Sequence, residues 1–230
     1  KRRLMKFACR ALADDKVVAK KILDRHGVTC AETYAVIERV SEIRTVLEQL
    51  NDYDQMVIKP AKGRGGGGIM VLKKDAGGNR WQAGGREAPA ARIHQHLRNI
   101  LSGIFSLGGR DRALIEYCIK PHAFFQQIYP EGVPDFRVIL LHHQSIMAML
   151  RVPTDRSGGK ANLHQGGLGI GIDLHSGRLK EAFDGRKYLT HHADTGKLIS
   201  SLEVPFWSEI VTLSVAASKA FPLKYLGVDI

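Results

Sequence analysis

The sequence predicts an α+β fold built as two sheet-plus-helix lobes. Three observations lead there. Helical and strand-like segments mix without a strict β-α-β alternation, which argues against a doubly wound parallel sheet. A glycine run, Gly63-Arg64-Gly65-Gly66-Gly67-Gly68, joins two apolar strands rather than a strand and a helix. After Pro121 the texture turns from helix-and-strand to mostly strand. The lobes are expected to meet near residues 116–122, with an N-terminal helical segment at 1–31, a first lobe at 32–121 carrying the glycine hairpin as a lid, and a second lobe at 122–230.

The elements follow in order. Residues 14–26 read as a helix capped by Asp14, with Val17, Val18, Ile22 and Leu23 helically spaced and Gly27 as the stop. A strand is expected at 33–36 and a helix from a Ser41 cap through Ile43, Val46, Leu47 and Leu50. Strands at 56–59 and 69–72 flank the glycine run, and the polar, glycine-rich stretch 75–90 reads as a mobile surface loop. A helix over 91–105 leads to a strand at 113–119. Strands at 136–141, 145–151 and 169–174 come next, then a helix opened by Pro205 and ending near Ala220, where the missing N–H costs little. The last strand is 225–230.

Composition narrows the class without naming it. Hydrophobic residues make up 44% and charged residues 25% of 230, ordinary values for a globular chain. No apolar run approaches the ~18–20 residues a membrane span needs. The basic N-terminus lacks the apolar stretch of a signal peptide. Cys9, Cys30 and Cys118 are odd in number and far apart, which suits a reducing cytoplasm and reads as three buried small hydrophobes. The net charge of +11 suits a polyanion partner, with the basic residues spread along the chain rather than blocked into a nucleic-acid arm.

The glycine run formally matches G-x-G-x-x-G, yet a dinucleotide site needs a helix next and Ile69 to Leu72 form a strand. A Walker loop needs Lys after its last glycine, and here Ile69 stands there. The kinase arrangement fails as well, because Asp135-Phe136 is followed by Arg137 and no H-R-D occurs. The shared physics survives: Gly63, Gly65, Gly66, Gly67 and Gly68 can bring backbone N–H groups against phosphate oxygens, with Lys59 adding a point charge. The competing reading is a plain surface hairpin. The pairs His94/His96, His142/His143 and His191/His192 invite a zinc site, but adjacent histidines on a strand point to opposite faces and no H-E-x-x-H occurs.

Three more segments add to the pattern. Leu114-Ile115-Glu116-Tyr117-Cys118-Ile119 is an apolar strand with a lone acid before a Lys-Pro break. Asp135-Phe136-Arg137 puts an acid and a base on one face of a strand. Gly159-Lys160-Ala161-Asn162-Leu163-His164-Gln165-Gly166-Gly167 groups a cation, an amide and glycines. In this order, after V-I-K-P and a glycine hairpin, the set resembles the ATP-grasp fold, two α+β lobes sandwiching a nucleotide. More narrowly it is similar to RimK-type α-L-glutamate ligases.

That resemblance implies an ATP-dependent carboxylate–amine ligase using Mg²⁺, with Mn²⁺ as the alternative ion. Glutamate would be the amine donor and a peptide, protein or small carboxylate the acceptor, with no membrane and no nucleic acid involved. Lys16 and Lys59 would contact the ATP phosphates, and Glu116 and Tyr117 would form the hinge that receives adenine. Asp135 would lie near the ribose, while Lys160, Ala161 and Asn162 would make the second nucleotide-contacting segment. Arg137 and Lys160 would steady the transferring phosphoryl, and Asp229 would bind the metal. Plain alternatives stand beside these roles: Asp135 and Arg137 as a surface ion pair, Glu116 as a solvated strand end, Asn162 as a turn cap and Asp229 as a strand-end acid. The chain departs from the family pattern in three places. Lys160 replaces a common Arg, the family's N-terminal domain is expected to be absent or reduced to a helical stub, and the next strand with its further metal ligands would follow Ile230, leaving the catalytic end truncated. The rival functions are a basic nucleotide- or nucleic-acid-binding module without catalysis, and a degenerate ATP-grasp protein.

Overall fold

The computed structural model describes residues 7–78, 80–200 and 202–230. The chain divides into two compact units, one of Ala13–Lys21 with Thr29–Ile119 and one of Lys120–Ile230 with Ile22–Val28 and the described residues before Ala13. Each holds one six-stranded, wholly antiparallel sheet.

Two helices open the chain, α1 (Phe7–Asp14) and α2 (Lys16–Arg25). The cap of α2 is Asp15 rather than Asp14: its carboxylate accepts from the Val17 and Val18 amides at 3.1 and 3.2 Å, the N2 and N3 donors that a cap satisfies. The first sheet runs in the order β1 (Thr33–Ile37), β6 (Ala113–Glu116), β2 (Gln55–Pro60), β3 (Met70–Lys74), β4 (Trp81–Ala83) and β5 (Arg86–Glu87). The stretch expected as a loop at 75–90 thus supplies two of its strands. Gly84 and Gly85, at φ 61° and 73°, form the left-handed two-residue turn that the right-handed strand twist prefers.

Alternation along β2 (half-buried, buried, repeated) turns Met56, Ile58 and Pro60 to one face and Val57 and Lys59 to the other. On the first face sit α3 (Ile43–Gln49) and α4 (Ala90–Leu101), whose Ile43, Ile93, Leu97 and Ile100 close a core with Ile37, Ile58, Leu72 and Ile115. Ser41 does not cap α3. It lies inside a 3-10 turn, Val40–Glu42, capped at Arg39, whose side chain pairs with Glu42 at 2.7 Å. The opposite face carries a smaller cluster, Val17, Ala61 and Leu114, beside Lys59 and Glu116.

After the short α5 (Ala123–Gln126), the second sheet runs β11 (Tyr188–Leu189), β10 (Leu179–Phe183), β9 (Leu168–Ile172), β8 (Gln144–Val152), β7 (Asp135–Leu141) and β12 (Tyr225–Asp229). One face packs Phe136, Val138, Leu150 and Ile170 under α6 (Trp207–Lys219), anchored by Trp207, whose indole N–H donates to the Leu174 carbonyl at 3.0 Å. Pro205 stands outside this helix, before a cap at Phe206 held left-handed at φ 56°. The other face carries Asp135, Arg137, Arg151 and Asp229, with Arg151 buried among them.

His142 and His143 lie in neither strand. They form the two-residue turn between β7 and β8, both left-handed at φ 49° and 64°. That conformation suits Asn-Gly and costs other L-residues roughly 1–2 kcal/mol each. The double substitution His142→Asn with His143→Gly should therefore stabilise the chain by about 1 kcal/mol, the gain being reduced by losing the 3.2 Å contact of His143 to the Ser218 hydroxyl. A higher urea midpoint at unchanged slope is the expected reading.

Candidate functional site

A cap and a sheet edge bring the first set of charges together. Because Asp15 fixes the start of α2, Lys16 and Lys20 fall one turn apart on the same side, where i and i+4 residues meet. That side lies over the face of the first sheet bearing Lys59 and Glu116. The Glu116 carboxylate, only 5% exposed, accepts from Lys20 Nζ at 2.8 Å and is also paired with Lys59 Nζ. Lys16 Nζ donates to the Gly63 carbonyl at 2.7 Å. Three ammonium groups thus converge around one buried carboxylate beside the first glycine of the hairpin. Glu116 is no solvated strand end, and Tyr117, next in the chain, is exposed with its amide donating to Glu32 O at 2.9 Å.

Sequence reasoning identified Lys16, Lys59 and Glu116 and missed Lys20, for which the i,i+4 spacing from Lys16 was the available signal. It also missed Arg112, which clasps both Asp15 oxygens at 2.8 and 2.7 Å, and Asp111, which takes the Lys62 amide at 3.0 Å and the Ser106 hydroxyl. Asp111 thereby ties the start of the glycine hairpin to the loop after α4.

The far end of the hairpin is held as firmly. Gly65, Gly66 and Gly68 have φ of 60°, 73° and 76°, open to glycine and strained for other residues. The Gly68 carbonyl lies 2.9 Å from His96 Nε2 on α4, and a Cβ on Gly68 would meet Phe105 at 2.6 Å. Gly68→Ala should accordingly destabilise the chain by about 1–3 kcal/mol through clash and strain. His96→Ala should leave the fold intact while speeding amide exchange across residues 63–68. Equal exchange in wild type and His96→Ala would show that the latch does not hold the hairpin.

Burial, and next the like charge of Lys59, push the Lys16 ammonium below the ordinary lysine range, with Asp111, Asp15 and Glu116 opposing the shift. The unfolded chain holds this proton more tightly, so the stability cost of the charge is present below the lowered pKa and is relieved as pH rises towards ordinary lysine values. Attraction for polyanions runs the other way and fades as Lys16 loses its proton. Tripolyphosphate affinity should fall with rising pH at a lower pH than an ordinary lysine would give, and Lys16→Arg should move that fall upward, because a guanidinium stays charged.

In the other unit the register of the second sheet creates a lattice of acids and bases. Asp135 faces Arg151, and Arg137 faces Asp229, as direct cross-strand partners. Both pairs are bidentate: the Arg151 Nη2 reaches Asp135 at 2.6 Å and the Arg137 Nη2 reaches Asp229 at 2.6 Å. A further contact of 3.1 Å joins Arg151 to Asp229. In place of the alternative reading, an Asp135–Arg137 surface pair, stands a four-member network through Arg151, the lone base of β8. Burial raises the Asp135 carboxyl above the usual range despite Arg151, so it is the member least at ease ionised.

Lys160, Ala161 and Asn162 lie in the loop between β8 and β9. Thr154 caps its start and donates to the Gly166 carbonyl at 2.8 Å, while Gly132 and Gly159 pack backbone to backbone, so closely that a Cβ on Gly132 would overlap the Gly159 oxygen. Lys160 is exposed and Ala161 buried. Asn162 precedes the 3-10 turn Leu163–Gln165 without a side-chain cap bond, and its carbonyl takes the Gln165 and Gly167 amides at 3.0 and 3.1 Å. The histidines are dispersed: His192 is buried against Tyr129, with ring centroids 4.8 Å apart, and its Nε2 lies 2.9 Å from the Pro153 carbonyl. Among the described residues no group of three or more His, Cys, Asp or Glu is placed to hold a metal. Cys118 is buried, Cys9 half-buried and Cys30 exposed, so the expectation of three buried thiols holds for one. No helix of the described residues is long and apolar enough to cross a membrane.

Two antiparallel sheets in tandem, the first with a glycine hairpin leading out of a lysine-bearing strand, are the architecture of the ATP-grasp class. The chain belongs to the sugar-transfer associated ATP-grasp family, matching it over residues 2–230. Among solved structures it is similar to an L-amino acid ligase from Bacillus licheniformis, at 12% identity and TM-score 0.50, covering 98% of this chain and 41% of that one. It is also similar to a D-alanine–D-alanine ligase from Bacillus anthracis, at 16% identity and TM-score 0.48, covering 96% and 53%. A third is the ATP-grasp ligase PsnB complexed with a phosphomimetic precursor variant, Mg and ADP, at 14% identity and TM-score 0.45, covering 99% and 47%. The chain spans about half the length of these proteins, and at such identities the likeness concerns the fold. No curated protein matches. The family match carries the ATP-grasp part of the resemblance and leaves the RimK-type part open.

Proposed function

We propose that this chain is the nucleotide-binding part of an ATP-dependent carboxylate–amine ligase, active in the cytoplasm. The observation that carries the reading is the meeting of Lys20 and Lys59 at the buried carboxylate of Glu116, with Lys16 beside them on the first glycine of the hairpin. Lys16, Lys20, Lys59 and Arg112 stand against Glu116, Asp15 and Asp111, which leaves one positive charge over for a polyphosphate to balance. Glycine amides at 65–68 add donors that no Cβ obstructs.

In the reaction, an acceptor carboxylate attacks the γ-phosphorus, the bond to the β–γ bridging oxygen breaks, and ADP leaves. The acyl phosphate so formed is attacked at its carbonyl carbon by an amine, phosphate departs with the bonding pair, and the amine gives up a proton. Lys16 and Lys59 hold the phosphates, Arg137 and Lys160 balance charge on the transferring group, and Asp135 with Asn162 orients the nucleotide. Glu116 holds Lys20 and Lys59 in place, and Tyr117 and Ala161 border the base. Mg²⁺ would supply charge neutralisation at the phosphates. Mg²⁺ is commonly held by one or two carboxylates together with phosphate oxygens and water. The donor set fits it only in part: both oxygens of the half-exposed Asp229 are held by Arg137, and Arg151 touches one of them, so a metal there would have to displace a guanidinium. The favoured amine is glutamate, on the likeness of Asp135-Phe136-Arg137 and Lys160–Gly167 to RimK-type ligases, and the acceptor is a carboxylate on a peptide, protein or small acid.

Thermal unfolding with and without Mg²⁺ and a non-hydrolysable ATP analogue tests this, with GTP and a short oligonucleotide alongside. Ligand at about 100 times its dissociation constant stabilises by roughly 2.7 kcal/mol, a rise of several degrees at this size. Lys59→Ala should abolish most of the rise. A shift with the oligonucleotide and none with the ATP analogue would sink the ligase reading and establish a basic nucleic-acid-binding module instead.

A further inference from the structure

The first sheet has a second functional face. Away from the lysine cluster, on the side covered by α3 and α4, a cavity of about 490 Å³ opens between those helices and β4. That volume falls within the range of small-molecule sites. Its wall is apolar: Leu47 from α3, Ile93 and Ala90 from α4, and the half-buried indole of Trp81 from β4. Its rim is polar, formed by Arg44, Glu48, Asn51 and His94.

The polar groups of that rim bear on the choice of ligand. Arg44 and Glu48 match each other, while the neighbouring Lys74 is held by a neutral carbonyl and an aromatic face. Arg44 Nε donates to Glu48 at 2.8 Å, and the neighbouring Lys74 ammonium donates to the Asn51 carbonyl at 2.6 Å while standing 5.6 Å from the Trp81 ring centre. The groups that make no hydrogen bond to any described residue are the uncharged ones: the Trp81 indole N–H, the Asn51 side-chain amide and the His94 ring. They offer donors and acceptors together, next to a flat aromatic and aliphatic wall.

We infer that this cavity binds a neutral sugar ring, a pyranose, with its C–H face against Trp81 and its hydroxyls on Asn51, His94 and the indole N–H. A pyranose has one apolar face and a perimeter of groups that both donate and accept, which is the complement of this lining. A purine shares the flat face but offers few perimeter hydroxyls, and a free amino acid would set two charges against a largely apolar wall. The site stands on the far side of the sheet from Lys59 and Glu116, so it is separate from the nucleotide site proposed above.

The chain has two tryptophans, Trp81 at the cavity and Trp207 buried in the other unit, so 5-fluorotryptophan labelling gives one resonance for each. Trp81→Phe assigns them. Methyl α-D-glucopyranoside, methyl β-D-galactopyranoside and N-acetylglucosamine are then titrated separately, with adenosine and glutamate as comparators. A saturable shift of the Trp81 resonance by at least one pyranose, with Trp207 unmoved, is the expected result. Asn51→Ala and His94→Ala should each weaken that binding about fivefold, the loss that accompanies one hydrogen bond, and the unmoved Trp207 line reports that they fold. No shift of Trp81 with any pyranose overturns the inference. So does a shift produced by adenosine or glutamate and not by a sugar, or sugar binding unchanged in both variants.

Discussion

Carboxylates are almost never buried alone, because removing one from water costs several kcal/mol. Glu116 is buried at the end of a central strand, and its charge is sustained by ammonium groups from two directions, Lys59 along the neighbouring strand and Lys20 from the helix above. The arrangement works both ways. Without Glu116 the three lysines would repel one another across a few ångströms of poorly solvated space. Without the lysines Glu116 would be an uncompensated charge in the sheet. The position of α2, the orientation of Lys59 and the anchoring of the hairpin at Gly63 by Lys16 all depend on this balance. On the function proposed above, the positive charge left over in this network is what a phosphate would balance.

The second unit solves the same problem differently. Its charges sit on a sheet face and are locked by register, acid opposite base on three adjacent strands, β8, β7 and β12. Guanidinium groups serve here where lysines serve in the first unit. Their planar forks hold carboxylates bidentately and cannot lose their protons, so the lattice keeps its geometry over a wide pH range. Lysines are compact point charges whose pKa moves with surroundings, as that of Lys16 does. The charge cluster of the first unit can thus adjust its protonation to its surroundings, while the guanidinium forks of the second stay charged.

Much of this was legible in the sequence. Short apolar runs marked β2, β3 and β7, and the glycine run between two strands announced the hairpin. What escaped has identifiable causes. The β4–β5 ribbon hid because its strands are two and three residues long and its glycines look like loop. Capping went wrong where two candidates adjoined, since only geometry distinguishes Asp14 from Asp15. The true partners of Asp135 and Arg137 lie 16 and 92 residues away and depend on register, which no local pattern encodes. His142 and His143 defeat the reading for the opposite reason: they occupy a turn that sequence statistics assign to Asn and Gly.

The sheet of the first unit separates two kinds of chemistry by its two-residue periodicity alone. Odd positions of β2 present Val57 and Lys59 to the charge cluster, and even positions present Met56 and Ile58 to the helices. A one-residue slip in pairing would exchange them, setting an ammonium into the apolar core and an isoleucine beside Glu116. Both errors are expensive, so register is specified from each face independently. The same alternation continues into β3 and β4, where Leu72, Lys74 and Trp81 fall on the helix side, and Lys74 reaches the end of α3 to take the Asn51 carbonyl. The cavity beside Trp81 is therefore a consequence of the register that places Lys59 against Glu116: one pairing pattern positions both, on opposite faces of the same sheet.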